Sequence, residues 1–454
     1  MNTRLAGARV GARFAIAAAM LYAAAPASGA DIDYRASIGA GYSDNVRRTA
    51  TNEESEDIAM AGLDFSLDQN SKRVSADVVG NLAFYDYLSN TYDPELVGSV
   101  YADTAFSLVP QRFTWVLSDQ YGQVAVDPFQ PATPDNRENI NYLSTGPDFI
   151  VHVGPQMDLT LGARYSLITY EEDPLDATVL DGQVSLSRAL SGRSSISLNA
   201  SKRQTEYDDQ VINANFDQLE TYFRYNVNGA RTNIALDAGY TELTRDVSDD
   251  GESGALLRAD ISRRISASTV ASLTAGHEFS TTAGAFAGEL GAHGGVSTAP
   301  GRQGADPFTL DRATLTWSFI RNVTTVAAIA NWSKHSYQNL SSLDQTTMIL
   351  TARYQRDLSP KTSLQVNLSR TDFEIVEGGA EYKELSAGLN FSWSLTRQLN
   401  LKVEYEYADR SGATLNQFKE NHLWLTLGYG RGNPRGERRA PTFGVDAQQD
   451  PAGN

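Results

Sequence analysis

Residues 384–410 read ELSAGLNFSWSLTRQLNLKVEYEYADR, and apolar and polar side chains alternate through most of this stretch. Neighbouring side chains of a β-strand point to opposite faces of the sheet. Each half of the stretch therefore predicts a strand with one apolar and one polar face. The interruption at 396–398 predicts the turn of a hairpin. The apolar face carries Leu385, Leu389, Phe391 and Val403, and the polar face carries Ser386, Asn390, Ser392, Lys402, Glu404 and Glu406.

The same period-two alternation recurs along nearly the whole chain, and helical spacing is almost absent. It predicts 20 strands, with 18 as the alternative if 32–42 or a pair flanked by loops is misassigned. Near Asp119 the alternation loses phase, which indicates a β-bulge or a wrong boundary. The predicted strands are 32–42, 57–68, 72–88, 95–109, 112–126, 139–153, 157–171, 176–190, 194–207, 214–228, 231–245, 254–266, 268–281, 308–320, 323–337, 343–357, 362–375, 381–395, 398–410 and 417–430.

Short and long connections alternate between these strands. The short ones contain tight-turn residues, for example at 228–230 and 358–360. The long ones are polar and often acidic, and they lie at 43–56, 127–138, 246–254 and 281–307. This alternation is typical of up-and-down antiparallel hairpins closed into a transmembrane β-barrel, with turns in the periplasm and loops outside the cell. An even number of strands then places both termini in the periplasm.

Composition supports an all-β membrane protein. The chain has 454 residues, and a soluble chain of that length divides into domains, but no linker or change in composition marks a boundary. The formal net charge of −17 argues against binding nucleic acid, because phosphates require Lys and Arg. The absence of cysteine excludes disulfides and thiolate metal ligands. We expect the lipid of a Gram-negative outer membrane around the barrel.

The N-terminus predicts a secretory signal peptide. Three arginines precede an apolar run at 14–25, and small residues lead to a cleavage site after Ala30, or alternatively after Ala27. A membrane-anchoring helix is disfavoured because the run is shorter than the roughly 20 residues that a span needs. The predicted organisation is a signal peptide at 1–30, a transmembrane β-barrel at 31–430 and a disordered periplasmic tail at 431–454.

The polar faces of the strands carry charges of both signs, which have two interpretations. They are cross-strand ion pairs that hold the wall together, or they line a polar conduit and select its solutes. Tyr222 and Trp424 lie on the polar side and could stack against a sugar ring or pack inside the wall. The predicted pore-lining residues are Asp77, Arg164, Glu220, Tyr222, Arg224, Asp237, Lys402, Glu404, Glu406 and Trp424.

No constellation of catalytic or metal-ligating residues emerges from the sequence. The five histidines lack metal-ligand spacing, and His335 and Ser336 point to opposite faces of a strand, which excludes a direct dyad. Residues 246–251 imitate the start of a calcium loop, but Leu257 stands where the EF-hand type has its bidentate glutamate. We therefore expect no metal, no cofactor and no enzymatic activity.

A barrel of about 16–18 strands already leaves an aqueous channel unless something fills it. The sequence predicts neither a helical plug nor a globular plug domain. The segment 281–307 is rich in small residues and has two interpretations, a constriction folded into the lumen or an external loop.

Residues 39–46 read GAGYSDNV. A GxGYxDNV opening followed by a chain of hairpins resembles the outer-membrane β-barrel porins found with bacterial exopolysaccharide and exosortase loci. The resemblance implies a conduit through which a nascent polysaccharide leaves the cell, supplied by periplasmic export proteins, and it transfers no binding residue. From the residues themselves, Tyr42 is expected in the external aromatic girdle, and Asp44 and Asn45 are expected to turn the chain. The alternatives are a general diffusion porin for small solutes and a structural or adhesive barrel.

Overall fold

The structure is a computed structural model that describes residues 30–127, 129–172, 174–210, 213–246, 248–293, 306–338, 340–376, 381–412 and 417–431. The side chains of 248–250 and 288–293 are not described. The predicted signal peptide at 1–30, apart from Ala30, and the predicted tail at 431–454, apart from Arg431, lie outside the described residues.

The described chain consists almost entirely of strands, and most of them keep a period of two. The strands are β1 Asp31–Ser43, β2 Glu56–Asn70, β3 Val74–Tyr87, β4 Glu95–Val109, β5 Phe113–Ala125, β6 Arg137–Gly154, β7 Met157–Tyr170, β8 Ala177–Ser191, β9 Ser194–Tyr207, β10 Phe216–Asn228, β11 Thr232–Arg245, β12 Ser248–Arg264, β13 Thr269–Ser280, β14 Phe308–Arg321, β15 Thr324–Tyr337, β16 Gln345–Ser359, β17 Thr362–Ile375, β18 Glu381–Ser394, β19 Leu399–Gly412 and β20 Phe418–Arg431. The helices are α1 Thr282–His293 and the short 3-10 helices Pro134–Asn136 and Ser341–Leu343.

Each strand pairs antiparallel with the next one, and β1 pairs with β20, so the sheet closes on itself. Closure leaves no outermost strand, whose backbone N–H and C=O groups would lack partners in lipid. The prediction of a 20-stranded up-and-down barrel is confirmed, and 18 strands is wrong. Both described chain ends and a set of short connections lie at one end of the barrel, called here the turn end. The connections at the other end, the loop end, are longer except for the one between β11 and β12.

Two local predictions are wrong. The loop predicted at 246–254 is not a loop, because β12 begins at Ser248 and pairs Gly251 with Thr244. The calcium-like residues at 248–251 therefore lie in a strand. The bulge suspected at Asp119 is also absent, because β5 keeps its register with β4 and β6 through that residue. The phase is lost in the side chains instead, since Asp119 and its neighbour Gln120 are both buried.

The outer face of the barrel is apolar. In the hairpin of β18 and β19, Leu385, Leu389, Phe391 and Val403 are all exposed on this face. Leu425 and Tyr429 continue the same surface on β20. An exposed apolar band around a closed sheet is stable in a bilayer rather than in water.

We predict opposite responses at two adjacent residues of β18. Leu389→Arg places a cation on the outer face and is expected to destabilise the barrel by about 2–4 kcal/mol in a bilayer. Asn390→Arg adds the same side chain to the lumen face and should change the free energy of unfolding little. Urea unfolding of both variants in phospholipid vesicles measures the difference, and equal destabilisation would contradict the assignment of the two faces.

Candidate functional site: the lumen and its loop end

A row of charged residues crosses the lumen face from β10 to β14. The strand register aligns Arg224 with Asp237, Asp237 with Arg258, Arg258 with Gly276, and Gly276 with Arg312. Three guanidinium groups therefore share one level of the wall. Gly276 leaves room between two of them, because a Cβ there would lie 3.2 Å from Arg312 Nε.

These guanidinium groups are tied to carboxylates. Arg224 Nε and Nη2 donate to the two oxygens of Asp237, at 2.7 Å each. Arg258 Nη2 lies 3.1 Å from Glu220 Oε1, and its Nε donates to Glu278. These contacts and the register place Glu220, Arg224, Asp237, Arg258 and Glu278 in one cluster, which we call the ladder. Because these charged groups are already paired with one another, they stiffen the barrel wall and are less available to bind a solute.

Two further ladder members complete the network. Arg312 Nη2 donates to the other oxygen of Glu278 at 2.9 Å. The Tyr222 ring lies between two guanidinium groups, 5.5 Å from Arg224 Cζ and 5.6 Å from Arg258 Cζ. These cation–π contacts leave the Tyr222 ring less available for stacking against a sugar. Arg258, Glu278 and Arg312 were not among the predicted residues, although their parity along the strands places them in the lumen.

The other predicted residues lie in separate groups. Arg164 Nη2 pairs with Asp148 Oδ2 at 2.7 Å on β7 and β6. On β19, Lys402 pairs with Glu404 at 2.8 Å, and Glu406 follows on the same face. Asp77 belongs to a row of three carboxylates, because the register places it between Asp68 and Asp103.

Trp424 packs inside the wall. Its ring centroid is 5.6 Å from that of Tyr85 and 5.1 Å from that of His422. The ring also covers Gly41, where a Cβ would come within 2.6 Å of the indole. Position 41 therefore requires glycine, and the packing interpretation describes Trp424 better than an open stacking face does.

The GAGYSDNV motif joins the first strand to the last one. Asp44 accepts hydrogen bonds from the backbone and side-chain nitrogens of Asn421, at 2.7 Å each. Ser43 Oγ donates to Glu420 at 2.6 Å, and Asn45 Nδ2 donates to the carbonyl of Lys419 at 2.9 Å. The motif thus closes the barrel at its loop end, besides ending β1.

At the loop end a helix folds into the lumen. Helix α1 begins directly after β13, and Thr281 Oγ1 accepts the backbone N–H of Gly284 at 3.1 Å. Ala283, Ala285 and Phe286 are buried, and α1 contacts β5 across the lumen from β13. Within the described residues, no helix is long and apolar enough to cross a membrane. The expectation that the chain has no helical plug is wrong. Of the two interpretations of 281–307, a constriction folded into the lumen is the one that fits α1.

The reason for this inward course is an apolar zone on the lumen face. Near the loop end, lumen-facing positions change from polar to apolar on strands from β6 to β15. Small alanines let the helix approach these side chains closely, and Phe286 fills the space between them. The residues that pack around α1 include Ile140, Ile168, Tyr170, Val179, Tyr207, Phe216, Leu243, Phe308, Leu310 and Tyr337.

A second segment, 126–136 apart from residue 128, which lies outside the described residues, reaches across the lumen from β5 and β6. The Phe129 ring lies edge-on to Phe373 of β17, with centroids 5.4 Å apart. Arg410 Nη1 donates to the carbonyl of Phe129 at 3.2 Å, and Arg48 Nη1 donates to that of Ala132 at 3.1 Å. Residues 127–138 were expected to form an external loop, and the aromatic Phe129 within this polar stretch was the signal for an inward contact.

The two anchoring arginines are held firmly. The Arg410 side chain is only 5% exposed, pairs with Glu384 at 2.7 Å and lies 4.0 Å above the Tyr382 ring. Arg48, in the loop after β1, pairs with Glu420 at 2.8 Å. Burial lowers the pKa of Arg48 and the Glu420 carboxylate raises it, and the net pKa is raised. Arg48 therefore stays charged as it holds the segment.

We predict that Phe129→Ala loosens this segment. Losing the ring removes about 1.5 kcal/mol of burial, so the segment should detach about tenfold more often. Limited proteolysis of vesicle-embedded protein measures cleavage within 126–136. Leu340→Ala, in another exposed loop, is the control and should leave that cleavage rate unchanged. Equal cleavage of Phe129→Ala and the parent protein would show that the ring is no anchor.

Comparisons with known proteins find likeness of structure. No family model matches the chain, and no curated protein matches it. The chain is similar to a mutant of the ferric enterobactin receptor PfeA of Pseudomonas aeruginosa, with a TM-score of 0.48, 10% identity, and coverage of 89% of this chain and 81% of that one. It is similar to OccK2 (OpdF) of the same organism in complex with glucuronate, with a TM-score of 0.37, 10% identity and coverage of 88% and 98%. It is also similar to the FrpB iron transporter of Neisseria meningitidis, with a TM-score of 0.44, 8% identity and coverage of 88% and 82%.

Proposed function

We propose that this protein is an outer-membrane channel. The observation that carries the proposal is the contrast between the two faces of one closed sheet. The outer face is apolar, and the lumen face is charged or hydroxyl-bearing outside the apolar zone that packs around α1. A ring of 20 strands exceeds the about 16–18 that already leave an aqueous lumen. The short turns and the ends of the described chain, near Ala30 and Arg431, share one end of the barrel. We assign this end to the periplasm, as in bacterial outer-membrane barrels.

The proposed cargo is a nascent exopolysaccharide, delivered by periplasmic export proteins. Its support is the GxGYxDNV resemblance together with the cavity beneath α1, of about 310 Å³. Hydroxyl-rich sugars require hydrogen-bonding groups beside aromatic surfaces, and this cavity offers both. Its aromatic and cationic lining includes Tyr142, Tyr170, Tyr207, Phe216, Arg203, Arg258 and Arg312.

A general diffusion porin is the second candidate. The row of carboxylates at Asp68, Asp77 and Asp103 favours it, because such a row attracts small cations. Helix α1 and the segment 126–136 oppose it, since both reach across the lumen and narrow the path for free diffusion. The same two elements favour a structural or adhesive barrel, which would conduct nothing.

We predict that the purified, refolded protein conducts ions in planar bilayers, and preferentially cations because of the carboxylate-lined wall. The double variant Glu404→Gln, Glu406→Gln should lower the preference for K⁺ over Cl⁻, whereas Leu340→Ala should not. Silent bilayers from protein that migrates as a folded barrel would exclude the channel. Deletion of the gene separates the cargoes, because an export conduit loses extracellular polysaccharide while solute uptake continues.

A further inference from the structure

The barrel wall is split between β12 and β13 at the loop end. Their last paired residues are Leu257 and His277. Beyond this pair, β12 continues to Ser248 paired with β11, and β13 continues to Ser280 paired with β14. Continued register would place Gly254 opposite Ser280, but in the described chain β12 and β13 are not paired there. Two sheet edges therefore face each other without a ladder between them.

A cavity of about 400 Å³ occupies this split. Both edges contribute to it, and most of its lining groups are polar. Gly254 and Ala255 have small side chains, so the edge of β12 leaves space for the cavity. The Phe279 ring lies among hydroxyl, amide and carboxylate groups. The polar lining residues are Thr241, Glu252, Ser253, His277, Glu278, Thr309 and Gln338.

This cavity adjoins the one beneath α1. Glu278 and Phe279 line both cavities, so they form the partition between them. Phe279 is 8% exposed, and a Cβ on Gly254 would lie 3.6 Å from its Cζ. The Phe279 ring thus fills the place of the missing ladder pairs. A rotation of one side chain would join the two cavities into one passage.

The split opens at the level where the outer surface becomes polar. His277 and Asp311 form an outward-facing pair with Nδ1 and Oδ1 2.5 Å apart. Leu257, next to the split, is 50% exposed on the same surface, and Leu315 on β14 is also exposed. Unpaired strand edges are costly in hydrocarbon but are tolerated at the water interface. The split therefore lies at the interface, where a hydrated solute can pass.

We propose that the split between β12 and β13 is a lateral passage for carbohydrate, with Phe279 as its gate. The inference rests on the proposed export of a polysaccharide and gives its route. Helix α1 and the segment 126–136 narrow the lumen at the loop end, so cargo beneath α1 leaves sideways past Phe279. Hydroxyl, amide and carboxylate groups hydrogen-bond sugar hydroxyls, and one aromatic ring meets the apolar face of a pyranose.

Cross-linking tests the route, because the chain contains no cysteine and introduced thiols are unique. Gly254→Cys with Ser280→Cys places thiols on both edges of the split, and a bismaleimide bridges them. The bridged protein should lose most of its bilayer conductance, and an added neutral oligosaccharide should no longer block the remaining current. Thr351→Cys with Ser369→Cys is the matched control, since these residues are paired on the neighbouring strands β16 and β17, where the wall is intact.

Each outcome decides between the two proposals. Loss of conductance on bridging the split, with none in the control pair, supports the lateral route. Unchanged conductance of the bridged protein overturns the lateral route and leaves the channel standing. A parent protein that never conducts overturns the channel, and the route falls with it. Phe279→Ala provides a second measurement that needs no reagent, because it should raise conductance by removing the gate, and an unchanged or lower conductance would overturn the gate.

Discussion

Satisfaction of backbone hydrogen bonds governs this structure. In lipid, an unpaired N–H or C=O costs several kcal/mol, so a sheet can span a bilayer only as a closed ring. The pairing of β1 with β20 provides that closure, and side-chain bonds from Asp44 and Asn45 reinforce it. Once the ring is closed, period two separates lipid-facing from lumen-facing residues on every strand. The split between β12 and β13 departs from this constraint, and it does so beside the outward-facing polar pair of His277 and Asp311.

Two kinds of interaction narrow the wide lumen of this barrel. In the middle of the wall, charges pair between neighbouring strands, as the ladder from Arg224 to Arg312 shows. Towards the loop end the lumen face is apolar, and α1 covers it, because exposed Ile, Phe and Tyr side chains would otherwise remain wet. The segment 126–136 is held instead by the cations of the partly buried Arg48 and the buried Arg410. Apolar burial and charge-assisted hydrogen bonds thus act at the same end.

Much of the fold was predictable because lipid and water impose a strict two-sided pattern. The strand count and most strand boundaries follow from this pattern. The predicted strand at 254–266 begins later than β12 because residues 248–254 are acidic and rich in small residues, which favours a loop. Helix α1 was missed because its alanines and glycines carry almost no helical periodicity. The ladder was half predicted. Parity places Glu220 and Asp237 in the lumen, but only the side-chain contacts in the folded barrel show that Arg258 bonds Glu220 and Glu278.

The closure between β1 and β20 also has a consequence for biogenesis. Asp44 and Asn421 are separated by 377 residues, yet they form one of the contacts that seal the ring. Such long-range contacts carry the largest loop-closure entropy and form late in folding. The first hairpins can pair as they emerge, but β1 keeps an unsatisfied edge until β20 arrives. Sealing is therefore the committed step of assembly, and a chain truncated before β20 would be left with an unpaired edge that can pair with another chain.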